Sequence, residues 1–264
     1  MKEIVVDSLD GLSEVAEAVI ESLDGRNVVA FCGTMGAGKT TLIKILTGLI
    51  KDHKGIVEID GEAPGVHTKS VVAFLPDKSY LPDWMKPTDA ISYFADFYKD
   101  FDREKAASMM QRFGVDMNQR LKTMSKGQQE KLNLILVMCR RAKLYVLDEP
   151  SIGLHPYNLK GLTGVMDDLA ADGNTVVLVD HDTQVLSHAD WMIEMGPDAG
   201  AAGGTVIAEG TVEELTQNEK SVIGPYLSGA ANAQIRPQTV REDLFAVGKI
   251  HLETNAIHTV HPLS

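Results

Sequence analysis

The sequence predicts an α/β fold: a mostly parallel sheet with helices on its faces and a small helical subdomain near residues 77–140. Three observations carry this. Short apolar runs of strand type alternate with segments of helical period along most of the chain. The run Asn27 to Cys32 leads into a glycine-rich turn that opens a helix. The run Leu144 to Leu147 ends in two carboxylates, Asp148 and Glu149.

Taken in order, Leu12, Val15, Ala16, Ile20 and Leu23 recur at helical spacing and predict an amphipathic helix over Val5 to Leu23. A strand follows over Asn27 to Cys32, then a helix over Thr40 to Ile50. Ile56 to Ile59 and Val71 to Leu75 read as strands between Gly and Pro punctuation. Residues 88–113 read as two helices split near Phe101-Asp102, and Ser125 to Arg141 as a third. Leu144 to Leu147 is a strand, Pro156 to Ala171 a helix and Thr175 to Val179 a strand. Thr205 to Ala208 and Val212 to Thr216 give a last strand and a short helix. Residues 1–230 are thus expected to form one domain, and 231–264 a C-terminal extension of weak periodicity.

The chain has 264 residues and a formal net charge of −12. An acidic surface argues against broad electrostatic capture of nucleic acid. Cys32 and Cys139 are the two cysteines, with no CxxC spacing, so neither a zinc module nor a disulfide framework is expected. His251, His258 and His261 read as a solvated tail, with no cysteine or paired acid to support a metal. No apolar run approaches the ~20 residues of a membrane span. The acidic N-terminus is unlike a secretory leader, and the expected location is the cytoplasm.

Gly33-Thr34-Met35-Gly36-Ala37-Gly38-Lys39-Thr40 fits G-x4-GK[ST], between a strand and a helix. Glycines let backbone amides curl around phosphate oxygens, and the helix N-terminus adds positive potential. Gly33, Thr34, Met35, Gly36, Ala37, Gly38, Lys39, Thr40 and Thr41 are the expected nucleotide site. Lys39 would reach the β and γ phosphates and the Thr40 hydroxyl would hold Mg²⁺. Asp148 would also hold Mg²⁺, and Glu149 is placed to polarise an attacking water. Ser125 followed by Gln128 is a capping box, and a helix start with Ser125 and Gly127 amides exposed is equally an anion site.

Lys39, Ser125-Lys-Gly-Gln128, Asp148-Glu149 and His181, in this order, resemble the ATP-binding cassette (ABC) ATPase superfamily over about residues 27–217. The resemblance implies a P-loop NTPase fold that binds ATP and Mg²⁺ and hydrolyses ATP. It makes Glu149 the catalytic glutamate, His181 the switch histidine and Ser151 to His155 the D-loop. It also implies a head-to-tail homodimer in which Ser125, Gly127 and Gln128 of one chain face the nucleotide of the other. Within this frame, residues 1–47 resemble the ATPase of bacterial tRNA threonylcarbamoyladenosine synthesis. Residues 54–150 resemble the ATPase subunit of small ABC-2-type exporters. Residues 148–264, with DEPSIGLHP, VVLVDHD and MGPDAGAAGGTVIAEGT, resemble a cassette of the damage-recognition ATPase of excision repair.

The sequence departs from the superfamily pattern in two places. No Tyr, Trp or Phe precedes Phe31, so the ring that usually stacks on adenine is missing. Asp77 stands where the Q-loop glutamine is expected, and is a third candidate metal ligand beside Thr40 and Asp148. Lys126 either donates near the γ-phosphate or caps solvent. The exporter resemblance implies a membrane-embedded partner docked on residues 77–115, which are rich in aromatics (Tyr80, Trp84, Tyr93, Phe94, Phe97, Tyr98). That partner would hold the chain at the inner face of the membrane. A repair-type ATPase and a tRNA-modification ATPase are the competing functions.

Overall fold

The computed structural model describes residues 27–52, 57–196 and 205–231, and the backbone of residues 250–253 and 256–259. The predicted helix over Val5 to Leu23 lies outside the described residues. Two compact units, Met1–Ala230 and Ala231–Ser264, divide the chain.

Among the described residues six strands form the sheet of the first unit: β1 (Val28–Gly33), β2 (Val72–Leu75), β3 (Leu144–Asp148), β4 (Thr175–Val179), β5 (Trp191–Gly196) and β6 (Thr205–Gly210). Their order is β2-β3-β4-β1-β5-β6. All neighbours are parallel except β5 and β6, which are antiparallel with a register shift at Glu194/Met195. Central strands buried on both faces read as continuous apolar runs. In β1, Val28, Ala30 and Cys32 enter one core cluster, whereas Val29 and Phe31 enter the other.

Helix α1 (Lys39–Leu46) and α2 (Val66–Val71) lie between β1 and β2. The expected strand at Ile56 to Ile59 is not formed among its described residues. Ile59 makes only an isolated antiparallel bridge to Glu62, closed by Asp60 and Gly61 in positive-φ conformations. That tight turn uses up the residues a longer ladder would need. Helix α2, which the sequence did not announce, begins where the Gly65 amide donates to Thr68 Oγ1 at 2.7 Å.

Helices α3 (Pro87–Phe97), α4 (Arg103–Arg112) and α5 (Lys126–Met138) build the helical layer. Each start is chemically marked. Asp89 accepts from the Lys86 amide at 2.9 Å, Asp102 accepts from the Lys105 amide at 2.9 Å, and Ser125 with Gln128 closes a capping box on α5. Leu132, Ile135, Leu136 and Cys139 pack with Phe94 and Met110 into this layer's own core. Leu134, Val137 and Met138 of α5 pack into the sheet's core. Helix α5 therefore ties the helical layer to the sheet. Arg140 adds a polar pin: its guanidinium donates to the carbonyls of Val72 at 2.6 Å and Ser70 at 3.0 Å, pairs with Asp100 at 3.1 Å, and lies 4.0 Å over the Tyr98 ring. Such a buried cation is tolerated because each donor finds a partner.

Helices α6 (Pro156–Ala171), α7 (Thr183–Leu186), α8 (Val212–Gln217) and α9 (Gly224–Leu227) complete the unit. Buried Glu194 on β5 accepts from Ser221 Oγ at 2.7 Å and from the Val222 and Ile223 amides at 3.0 Å, fixing the entry to α9. In the second unit, β7 (Ile250–Glu253) and β8 (Ala256–Thr259) form a two-stranded antiparallel sheet.

Candidate active site

Strands β3, β4 and β1 are parallel neighbours, so their C-terminal ends open at one edge of the sheet. That edge is where α/β sheets present their chemistry. It gathers the glycine loop after β1, Asp148-Glu149 after β3 and Asp180-His181 after β4.

The loop from Gly33 to Lys39 takes its shape from three positive-φ glycines, Gly33, Gly36 and Gly38, at φ 119°, 84° and 91°. Gly33 admits no other residue: a Cβ there would fall 1.9 Å from the Met195 carbonyl oxygen on β5. Lys39 is buried, and its Nζ donates to the carbonyls of Gly33 at 2.9 Å and Thr34 at 2.8 Å. Burial lowers its pKa, against the carboxylates of Glu149 and Asp148, which act the other way. Thr34, Met35 and Gly36 form the exposed tip, while Ala37 is buried beneath the loop. Thr41 follows Thr40 in the first turn of α1.

Thr40 Oγ1 donates to Asp148 Oδ1 at 3.3 Å, and Asp148 Oδ2 is buried without a hydrogen-bond partner. A buried carboxylate oxygen without a donor costs free energy unless a cation meets it. The pair of hard oxygens suits Mg²⁺, so the residues present fit that ion. Asp77 is exposed, and its charge reaches Asp148. Among the described residues no three acid, His or Cys side chains stand close enough to hold an ion by themselves. The remaining ligands would therefore be phosphate oxygens and water.

Burial, then the charges of Asp77 and Glu149, push the Asp148 carboxyl up to about 6, with the Thr40 bond opposing. From about pH 4 to about pH 6 the folded chain keeps a proton that the unfolded chain has lost, so this group's contribution to stability falls as pH rises. Metal-free thermal melts across that window should show the fall, and Asp148→Asn should lack it. Equal slopes for the two proteins would disprove it.

Glu149 has φ 54°, a left-handed backbone rare outside glycine, and its amide donates to the Val179 carbonyl at 2.8 Å. Its Oε1 stands 3.6 Å from His181 Nε2. Sequence reasoning did not single out Asp180, which organises this corner. Fully buried, it accepts from the Ser151 hydroxyl at 2.7 Å and amide at 3.1 Å, and from the His181 and Asp182 amides at 2.6 and 2.9 Å. It thereby fixes the turn after Glu149 relative to His181. The available signal was an Asp-His-Asp run directly after an apolar strand.

The Ser125 turn is not joined to the loop. Ser125 Oγ accepts from the Gln128 amide at 3.3 Å, and Gln128 Oε1 accepts from the Ser125 amide at 2.9 Å. Among the described residues no hydrogen bond links this turn to residues 33–41. Gly127 packs on the turn after Glu149, where a Cβ would meet the Gly153 carbonyl oxygen at 2.6 Å. Lys126 lines an open cleft of about 440 Å³ with Asp77, Glu130 and Glu149. Tyr80, Trp84, Tyr93 and Phe97 are exposed on the helical layer, while Phe94 is buried among them.

The family described as ABC transporter matches residues 19–152, just over half of the chain. Curated relatives include the UvrABC system protein A of Bradyrhizobium diazoefficiens, 34% identical over 151 residues, which are 54% of this chain and 15% of that protein. The UvrABC system protein A of Aquifex aeolicus is 45% identical over 109 residues, 40% of this chain and 12% of that protein. This chain thus covers 15% and 12% of the length of these two relatives. Among solved structures, an ATP-binding subunit of an ABC transporter is similar with a TM-score of 0.65 at 23% identity, covering 78% of this chain and 89% of that one. The cassette MJ0796, solved as a dimer in a post-hydrolysis state with ADP and Pi, is similar with a TM-score of 0.61 at 20% identity, covering 70% and 85%. These two likenesses concern the fold. No helix of the described residues is long and apolar enough to cross a membrane.

Proposed function

Since the chain belongs to the ABC transporter family, we propose that it binds ATP with Mg²⁺ at the sheet edge and hydrolyses it to ADP and phosphate as the energising subunit of a transporter. The observation that carries this is the convergence of the Thr40–Asp148 contact and the Glu149–His181 pair beside one glycine loop.

Each step is assigned to a group at this edge. Backbone amides of residues 33–41 and the N-terminus of α1 hold the phosphates. Lys39, at the loop's mouth, supplies a positive charge for the γ-phosphate oxygens. Thr40 and Asp148 would hold Mg²⁺, which would supply positive charge to offset that of the phosphates. Glu149 orients a water for in-line attack on the γ-phosphorus and accepts its proton, and His181 steadies that carboxylate. The bond from phosphorus to the ADP oxygen breaks as the water oxygen bonds to phosphorus. Catalysis is positioning and charge stabilisation.

A second copy of the chain would complete the site with Ser125 and Gly127. The Ser125 turn stands unjoined to its own loop, and the similar cassette MJ0796 was solved as a dimer. ATP turnover per chain should therefore rise with protein concentration. A rate flat over the range where sedimentation shows monomers would sink the dimer. The exposed Tyr80, Trp84, Tyr93 and Phe97 favour a membrane-embedded partner on the helical layer.

The identity to UvrABC system protein A supports a second reading, a repair-type ATPase. The two separate on duplex DNA: binding that weakens steeply with salt favours repair, and its absence favours transport.

A further inference from the structure

The backbone at Glu149 has φ 54°, and such a conformation persists only where its surroundings hold it. One hold is the Glu149 amide, which donates to the Val179 carbonyl at 2.8 Å. The other, two residues on, is Asp180. Its Oδ1 accepts from the Ser151 hydroxyl at 2.7 Å and from the His181 and Asp182 amides at 2.6 and 2.9 Å, and its Oδ2 accepts from the Ser151 amide at 3.1 Å. A carboxylate so deeply buried is tolerated only when donors meet it. The other bonds of the turn are local: the Ile152 amide donates to the Glu149 carbonyl at 3.1 Å and the Leu154 amide to the Ser151 carbonyl at 3.0 Å. Local bonds shape a turn without placing it against the sheet. Asp180 can place it, because its own amide donates to the Phe31 carbonyl on β1 at 3.3 Å.

We propose that Asp180 is a positioning residue for hydrolysis: with one side chain it grips the turn that follows Glu149 and the amide of His181, and so sets the Glu149 carboxylate against the imidazole. The proposal rests on the reading of Glu149 as the base. Glu149 Oε1 and His181 Nε2 are 3.6 Å apart. A misplacement of about 1 Å can cost ~10²-fold in rate, so a group that fixes this separation bears on the chemistry without touching the substrate. The same turn bears on α5, where a Cβ on Gly127 would meet the Gly153 carbonyl oxygen at 2.6 Å. Asp180 is thus the sheet's side-chain hold on a turn that the helical layer also touches.

The test compares single-turnover hydrolysis and equilibrium ATP binding in the full chain. Asp180→Asn keeps one oxygen for three of the donors and turns an NH₂ group toward the Ser151 amide. It should slow hydrolysis by about 10–10²-fold and leave ATP affinity unchanged. Ser151→Ala removes only the hydroxyl bond and should slow hydrolysis by less; it carries the same comparison should Asp180→Asn not fold. In a Glu149→Gln background either substitution should cost far less than in the unaltered chain, because the group being positioned is gone. A merely structural loss would cost the same factor in both backgrounds. Asp167→Asn, at an exposed acid paired with His188, should change nothing. Equal factors in the two backgrounds would overturn the proposal, as would unaltered hydrolysis by both Asp180→Asn and Ser151→Ala. If Glu149→Gln alone hydrolyses at the unaltered rate, the reading of the base falls, and the proposal with it.

Discussion

Glu149→Gln should slow ATP hydrolysis by about 10²–10⁴-fold, the usual worth of a positioned general base, while Mg·ATP stays bound. The substitution keeps the shape of the side chain and removes its ability to accept a proton. The backbone there is held by the amide bond to the Val179 carbonyl at 2.8 Å, and its φ of 54° is no harder for Gln than for Glu. The fold should therefore survive, and the loss should fall on kcat rather than KM. His181 Nε2, 3.6 Å from the carboxylate, would then face an amide, so His181→Ala should also slow hydrolysis, but by less. Single-turnover rates with labelled ATP, compared with equilibrium binding, make the measurement. If Glu149→Gln hydrolyses at the unaltered rate, Glu149 is not the base.

Asp148 is the other acid at this edge, and its environment argues against the same role. Its Oδ1 is engaged with Thr40 and its Oδ2 is buried without a donor. A carboxylate so placed is suited to holding a cation. Glu149 is only partly buried and lines the open cleft where water has access. The two adjacent acids meet different surroundings because Asp148 is the last residue of β3, whereas Glu149 lies past the strand end in a left-handed backbone of φ 54°.

The parts of this site legible in the sequence are those whose chemistry is local. Three positive-φ glycines within the Gly33–Thr40 loop, and an apolar strand running into Asp148-Glu149, announce themselves without tertiary context. The caps of α3, α4 and α5 are likewise written within three residues. Strand β5 was not legible, because Glu194 interrupts its apolar run. That carboxylate is buried only because Ser221, Val222 and Ile223 supply donors from 27 to 29 residues away. Asp180 escaped for the same reason, since half of its donors come from Ser151.

Lys39→Ala should lower ATP affinity by at least about 10²-fold, from the loss of two or more charge-assisted hydrogen bonds at roughly 1.5–3 kcal/mol each. In the free chain the ammonium rests on the Gly33 and Thr34 carbonyls, within reach of the space the phosphates would fill. Without it, a triphosphate would approach Asp148 and Glu149 with no lysine to offset them. Lys39→Arg should fail nearly as badly: the ammonium is almost fully enclosed, and a planar guanidinium needs more room. Stability should move little or rise, because burial already disfavours the charged lysine and Ala removes that burden. A melting temperature kept while nucleotide binding is lost would thus mark Lys39 as a binding group. A chain that unfolds on losing Lys39 would instead make it a strut of the loop, and the phosphates would then owe their hold to the backbone amides and Mg²⁺.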